Sequence, residues 1–178
     1  GELRFGKGLV IRASGTLNAP SGSLSIRGDF TNQGTFNHNN GLLVLNTSKN
    51  VKLNMGGTGS GKDLYNLTKS GKHTVTLNSN ISLNSFTMNT NGGVFRANGK
   101  TIYVSKNWTV NTNKYSGFVH QNGTVTFNGT SAQSINTING KSLAFITFIH
   151  FFDVGHFISV FTFTGIKLFL LLRNLGST

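Results

Sequence analysis

Apolar residues come in short alternations: Leu9-Val10-Ile11, then Leu24 and Ile26, Leu43 and Leu45, Val51 and Leu53, Val75 and Leu77, and Ile102 and Val104. Each run has strand length, and a period of two turns its apolar members to one face. Between the runs stand Ser14-Gly15, Ser21-Gly22, Asn40-Gly41, Asn91-Gly92, Asn98-Gly99 and Asn122-Gly123, residues that accept positive φ at little cost. No stretch before residue 140 keeps apolar positions at i, i+3, i+4 and i+7 through successive turns. The pattern therefore predicts strands and turns, without helix, over the first four fifths of the chain.

Three blocks recur in order. Leu24-Ser25-Ile26-Arg27-Gly28-Asp29-Phe30-Thr31 matches Ile102-Tyr103-Val104-Ser105-Lys106-Asn107-Trp108-Thr109 at an offset of 78 (102 − 24). The segment 37–46, with Asn40-Gly41, matches 119–128, with Asn122-Gly123, at 82 (123 − 41), and 64–68 matches 143–147 at 79 (143 − 64). A unit near 80 residues containing several short strands divides into three or four coils of roughly 20 to 25 residues each. In the matched strands Leu43 and Leu45 correspond to Val125 and Phe127, and Leu42 and Val44 to Thr124 and Thr126. The first pair of positions is expected inward and the second outward.

Composition narrows the architecture further. Only 37% of the 178 residues are hydrophobic and 23 are Gly, so a thick two-layer core is not expected. The polar remainder is Asn, Ser and Thr, the chemistry of stacked turns, and order is expected over disorder. Cysteine is absent, which removes disulfides and thiolate metal sites from consideration. Sixteen Lys and Arg face four acids, Glu2, Asp29, Asp63 and Asp153, for a formal charge of +12. That field favours acidic surfaces, and a solvated coat that keeps a glycine-rich stack soluble is the alternative. The first residues contain no apolar run of signal-peptide length, and the chain is read as an internal or trimmed fragment whose export is inferred from its character.

Two phrases carry a family resemblance. Phe5 through Ala19, with Ser14-Gly15-Thr16-Leu17, and Trp108 through Gly129, ending Asn122-Gly123-Thr124-Val125-Thr126-Phe127-Asn128-Gly129 and followed by Ser131-Ala132-Gln133-Ser134-Ile135, resemble the repeats of large bacterial and archaeal surface proteins with right-handed parallel β-helix domains. The resemblance spans about residues 3–147. It implies an all-β, right-handed parallel β-helix (β-solenoid), a cell-surface location and non-catalytic, adhesin-like display. It carries no functional residues across, because such repeats serve many roles.

Candidate chemistry is sparse. Gly56-Gly57-Thr58-Gly59-Ser60-Gly61-Lys62 satisfies seven positions of a phosphate-binding loop, but Asp63 stands where Ser or Thr would hold Mg²⁺, and a strand rather than a helix is expected next. A glycine-rich connection between coils is the expectation. Polysaccharide-cleaving β-helices need clustered carboxylates, and four scattered acids do not supply them, so no catalytic residue is assigned. His38 and His120 occupy matching places in the two blocks, yet with His73 they fall short of a zinc set; no metal and no cofactor is expected. Six Asn-x-Ser/Thr sequons begin at Asn46, Asn66, Asn80, Asn107, Asn122 and Asn128, as expected of so Asn- and Thr-rich a chain. Trp108 is expected in the core, and Tyr115, in a loop beside Lys114, is the exposed aromatic candidate.

From about Ser142 the chain changes character. Leu143–Phe152 and Val154–Ile166 are nearly all apolar, and Asn and Gly almost vanish. Asp153 and Lys167 interrupt the run too soon for an ordinary membrane span. A terminal coil with an uncovered apolar face and a tail from a shifted reading frame are the other readings, the last being favoured for 148–178, with membrane contact left open.

The expected organisation is thus a solenoid over 1–147, containing two related units at about 24–99 and 102–147, followed by an atypical hydrophobic segment at 148–178. The expected function is that of a non-catalytic extracellular or cell-surface adhesive module, with a polysaccharide-binding or polysaccharide-degrading β-helix as the alternative. Binding is expected on outward rows, at Lys49, Lys52, Lys62, Lys69 and Lys72 with Tyr115. Acidic polysaccharide or other cell-surface components are the expected partners beside neighbouring repeats of the same chain, and no specific nucleic acid is expected.

Overall fold

The structure, a computed structural model, describes residues 1–89, 91–111, 117–137, 146–148 and 163–164. Its first coil consists of β1 (Glu2–Phe5), β2 (Leu9–Ile11) and β3 (Thr16–Asn18), and its second of β4 (Ser23–Ile26), β5 (Phe30–Asn32) and β6 (Thr35–Asn37). The third has only β7 (Leu42–Asn46) and β8 (Val51–Asn54) before a glycine-rich loop. Three strands per coil return with β9 (Asn66–Ser70), β10 (Thr74–Leu77), β11 (Ile81–Leu83), β12 (Ser85–Met88), β13 (Val94–Arg96) and β14 (Thr101–Val104). Next come β15 (Trp108–Val110), β16 (Phe118–Val119), β17 (Thr124–Phe127), β18 (Ile135–Thr137), β19 (Ile146–Phe148) and β20 (Phe163–Thr164).

Every pairing among these strands is parallel and joins one coil to the next. The first sheet runs β1-β4-β7-β9-β12-β15-β18-β20 and the second β2-β5-β8-β10-β13-β16. The third is split into β3-β6 and β11-β14-β17-β19. The chain is therefore an all-β parallel solenoid of about six turns, and no helix occurs among the described residues. None there is long and apolar enough to cross a membrane. Of the segment 148–178 only Phe148 and β20 are described, so its readings as anchor, terminal coil or shifted frame lie outside the described residues.

The register explains the alternation in the sequence. Leu3, Leu24, Leu43, Leu67, Phe86, Trp108 and Ile135 align in one inward column of the first sheet. Ile81, Ile102 and Val125 form another in the third. From Leu24 onward these side chains are buried, each stabilising the stack by roughly 1.5–3 kcal/mol relative to exposure. Aromatic rings fill the middle coils: Phe86 packs 5.0 Å from Phe95, and Phe118 meets Trp108 edge-on at 5.0 Å. The expected inward positions Leu43, Leu45, Val125 and Phe127, and the core position of Trp108, are all buried.

The 80-residue correspondence has a different structural meaning from the one expected. Leu24–Thr31 passes from the first sheet to the second, whereas Ile102–Thr109 passes from the third to the first. Likewise Leu43 lies in the first sheet and its counterpart Val125 in the third. The likeness relates strand-turn-strand corners on different faces, because each corner poses the same problem of turning a short chain between sheets.

Asn-Gly corners solve that problem. Gly41 N–H donates to His38 O at 2.8 Å, with Asn39 and Asn40 at φ 47° and 57°. Gly123 N–H donates to His120 O at 2.7 Å, with Gln121 and Asn122 at 43° and 60°. Positive φ at both central residues is the type I′ pattern that closes hairpins. Here the flanking strands pair with adjacent coils instead of with each other. Asn side chains then bind coil to coil: Asn98 Nδ2 to Leu77 O at 3.1 Å, Asn39 Nδ2 to Ala19 O at 2.8 Å, and Thr101 N–H to Asn80 Oδ1 at 3.0 Å. The Asn-rich composition supplies the polar partners that corner backbone requires.

Candidate functional site: a basic edge

The corner between the first and second sheets is made in successive coils by Gly6-Lys7-Gly8, Arg27-Gly28-Asp29, Thr47-Ser48-Lys49-Asn50 and Gly71-Lys72-His73. Backbone bonds tie neighbouring coils together here: Gly28 N–H donates to Lys7 O at 3.1 Å, and Thr47 N–H to Ser70 O, at the end of β9, at 3.4 Å. Each contributes one exposed cation, Lys7, Arg27, Lys49 and Lys72. With coils repeating at about 4.8 Å, the four corners that carry these charges span about 14 Å along the solenoid.

A second row flanks this edge on the outer face of the second sheet. Lys52, Thr76 and Arg96 share one register position in consecutive coils, and Lys52 is exposed. Asp29 is the acid of this region, and its Oδ1 accepts the Lys52 backbone N–H at 2.8 Å. On the other side, Arg4 and Arg27 line an open depression of about 240 Å³. Arg4 is paired at 2.7 Å with Glu2, and the hydrogen bond from its guanidinium holds the Glu2 carboxyl below its ordinary pKa. Arg27 is the cation in the depression with no such pairing among the described residues.

The structure separates the sequence candidates. Lys49, Lys52 and Lys72 are exposed and converge on this edge. Lys69 was expected outward and is instead fully buried, in register with Leu45 and Met88. Its Nζ donates to Ser70 O at 2.9 Å and Gly71 O at 2.8 Å, and burial lowers its pKa to about 8. Period-two alternation from Leu67 required this inward direction, so its place in the lysine run was misleading. Lys62 is also withdrawn from the proposed contact row: its Nζ donates to Gly34 O at 2.6 Å, satisfying the carbonyl of a neighbouring coil. Tyr115 lies outside the described residues.

Lys7 and Arg27 were missed. Their signal was present in the spacing, since Lys7, Arg27, Lys49 and Lys72 follow one another at 20 (27 − 7), 22 (49 − 27) and 23 (72 − 49) residues, the length of a coil.

The glycine-rich segment is a connection, as expected, and leads into β9. Gly56, Gly57, Gly59 and Gly61 all have positive φ, Gly61 O accepts the Phe36 N–H at 2.9 Å, and Asp63 Oδ1 accepts the Gly59 N–H at 2.8 Å. The loop bulges where the third sheet is interrupted. Among the described residues no group of His and acidic side chains is placed to hold a metal ion. His38 and His120 sit at different corners of the coil, the first between the third and first sheets and the second between the second and third.

No family model matches the chain, and no curated protein or solved structure does either.

Proposed function

We propose that this solenoid is a non-catalytic module of an extracellular, cell-surface repeat protein, and that it attaches to anionic polymers along its basic edge. The observation that carries this reading is the column of Lys7, Arg27, Lys49 and Lys72, one exposed cation in each of four successive coils. A row of cations, one per coil, suits a linear acidic polysaccharide, whose own charges repeat along a chain. The likeness of its corner phrases to surface-protein repeats supports the location, and the parallel solenoid supports a role in extended display.

The test is retention on immobilised alginate and heparin for wild type and for a variant with Lys7, Arg27, Lys49 and Lys72 changed to Ser. The variant should elute at clearly lower salt from both matrices. Equal elution salt removes the edge as the attachment site. Duplex DNA is the control for unspecific attraction, whose affinity falls steeply and log-linearly with salt; a polysaccharide fitted to the edge retains measurable affinity at salt that abolishes DNA binding.

A further inference from the structure

At the corner between the third and first sheets, the glycine-rich loop and residues 36–40 border an open groove of about 490 Å³, within the size range of small-molecule sites. Asn37, His38, Asn40, Ser60, Gly61 and Asp63 line it. We propose that this groove binds a neutral sugar residue, separately from the attachment of acidic polymer at the edge.

Three features equip it for hydroxyl recognition. Asp63 is held by the Gly59 N–H at 2.8 Å through Oδ1, so the loop positions a carboxylate, an acceptor for paired hydroxyl donors. His38 is oriented on both counts that matter. Its ring stacks on Tyr65 with centroids 5.6 Å apart and an angle of 26°. Its Nδ1 accepts the Asn40 N–H at 3.0 Å, which leaves the proton of the neutral imidazole on Nε2 as a donor. The Asn37 and Asn40 amides add groups that both donate and accept.

Charge selects the class of sugar. Asp63 is the charged residue among those lining the groove, and no Lys or Arg lines it. The adjacent Lys62 is turned away onto Gly34 O at 2.6 Å. A uronate or sulfated sugar would face an unbalanced carboxylate, whereas a neutral residue meets acceptors and donors without repulsion. The groove lies where the third sheet skips one coil, with the glycine-rich loop standing in place of a strand between β6 and β11.

The experiment is an NMR titration of the isotope-labelled chain with N-acetylglucosamine, galactose and galacturonate. At least one of the two neutral sugars should shift the backbone amides of Asn39, Asn40, Gly59, Ser60 and Gly61 with millimolar affinity, and galacturonate should bind at least about tenfold more weakly. Asp63→Asn keeps an oxygen for the Gly59 N–H but loses the charge, and His38→Phe keeps the stack on Tyr65 but loses the Nε2 donor together with the Nδ1 acceptor of the Asn40 N–H; each should weaken the neutral sugar by about tenfold. Unchanged amide dispersion elsewhere establishes that both variants remain folded. The edge variant at Lys7, Arg27, Lys49 and Lys72 should bind neutral sugar as wild type does, so loss of polymer retention and loss of this site are read independently. Absence of shifts with both neutral sugars up to about 100 mM, preference for galacturonate, or equal affinity in both groove variants overturns the proposal.

Discussion

The Phe86 ring lies against the Trp108 indole with centroids 4.3 Å apart and planes inclined at 30°. The two residues are partners in adjacent coils of the first sheet, and both are fully buried. Phe95 packs against the Phe86 ring and Phe118 against the indole. Because each coil rests on its neighbours, a defect there is felt by the coils on either side.

Trp108→Ala should therefore destabilise the chain by about 3–5 kcal/mol, read as a lowered urea midpoint. Trp108→Phe should cost much less, under about 1.5 kcal/mol, because it keeps the stack on Phe86. It also removes an indole N–H that has no hydrogen-bond partner among the described residues. A Phe variant as unstable as the Ala variant would contradict the assignment of the cost to lost ring packing.

Lys69 gives the fold a pH dependence of definite sign. Burial lowers its folded pKa from 10.5 to about 8, so between these values the unfolded chain binds more protons than the folded one. Stability then rises with pH across that window and falls back as pH drops through about 8. The urea midpoint of wild type should increase from pH 8 to pH 10 relative to that of Lys69→Met, in which this contribution is absent. Parallel profiles for the two proteins would show that Lys69 keeps its charge without cost.

Lysines in the same sequence region should behave oppositely. Changing Lys49 and Lys72 to Ser lowers the salt needed to elute the chain from alginate and leaves the urea midpoint within about 0.5 kcal/mol of wild type. Changing Lys62 to Ser leaves retention nearly intact but costs about 1–3 kcal/mol, since Gly34 O loses its donor. Elution and denaturation profiles of the same samples check both statements.

The corner glycines should resist the smallest substitution. A methyl group on Gly41 would run into the Pro20 carbonyl of the preceding coil, so Gly41→Ala should destabilise by roughly 2 kcal/mol or more, within the range for overpacking. Asn40→Gly, at φ 57° in the same turn, should be close to neutral, because glycine adopts that conformation freely. A thermal melt of each variant separates a steric limit from a conformational one.

The sequence by itself determined the strands, their inward faces and the punctuation between them, because a period of two and a run of Asn, Gly and Ser are local properties. It could also have located the basic edge, since Lys7, Arg27, Lys49 and Lys72 recur at the length of a coil. Stacking alone decided the rest. Asn-Gly turns that would close hairpins became corners because their flanking strands pair with other coils, and the 80-residue likeness proved to join different faces of the solenoid. Lys69 entered the core, as alternation from Leu67 already required, while Lys72, three residues on in the corner, stayed in solvent; stacking set only its register with Leu45 and Met88. The groove beside His38 lies at the coil in which a glycine-rich loop replaces a strand of the third sheet, a juxtaposition of segments that no single stretch of chain encodes.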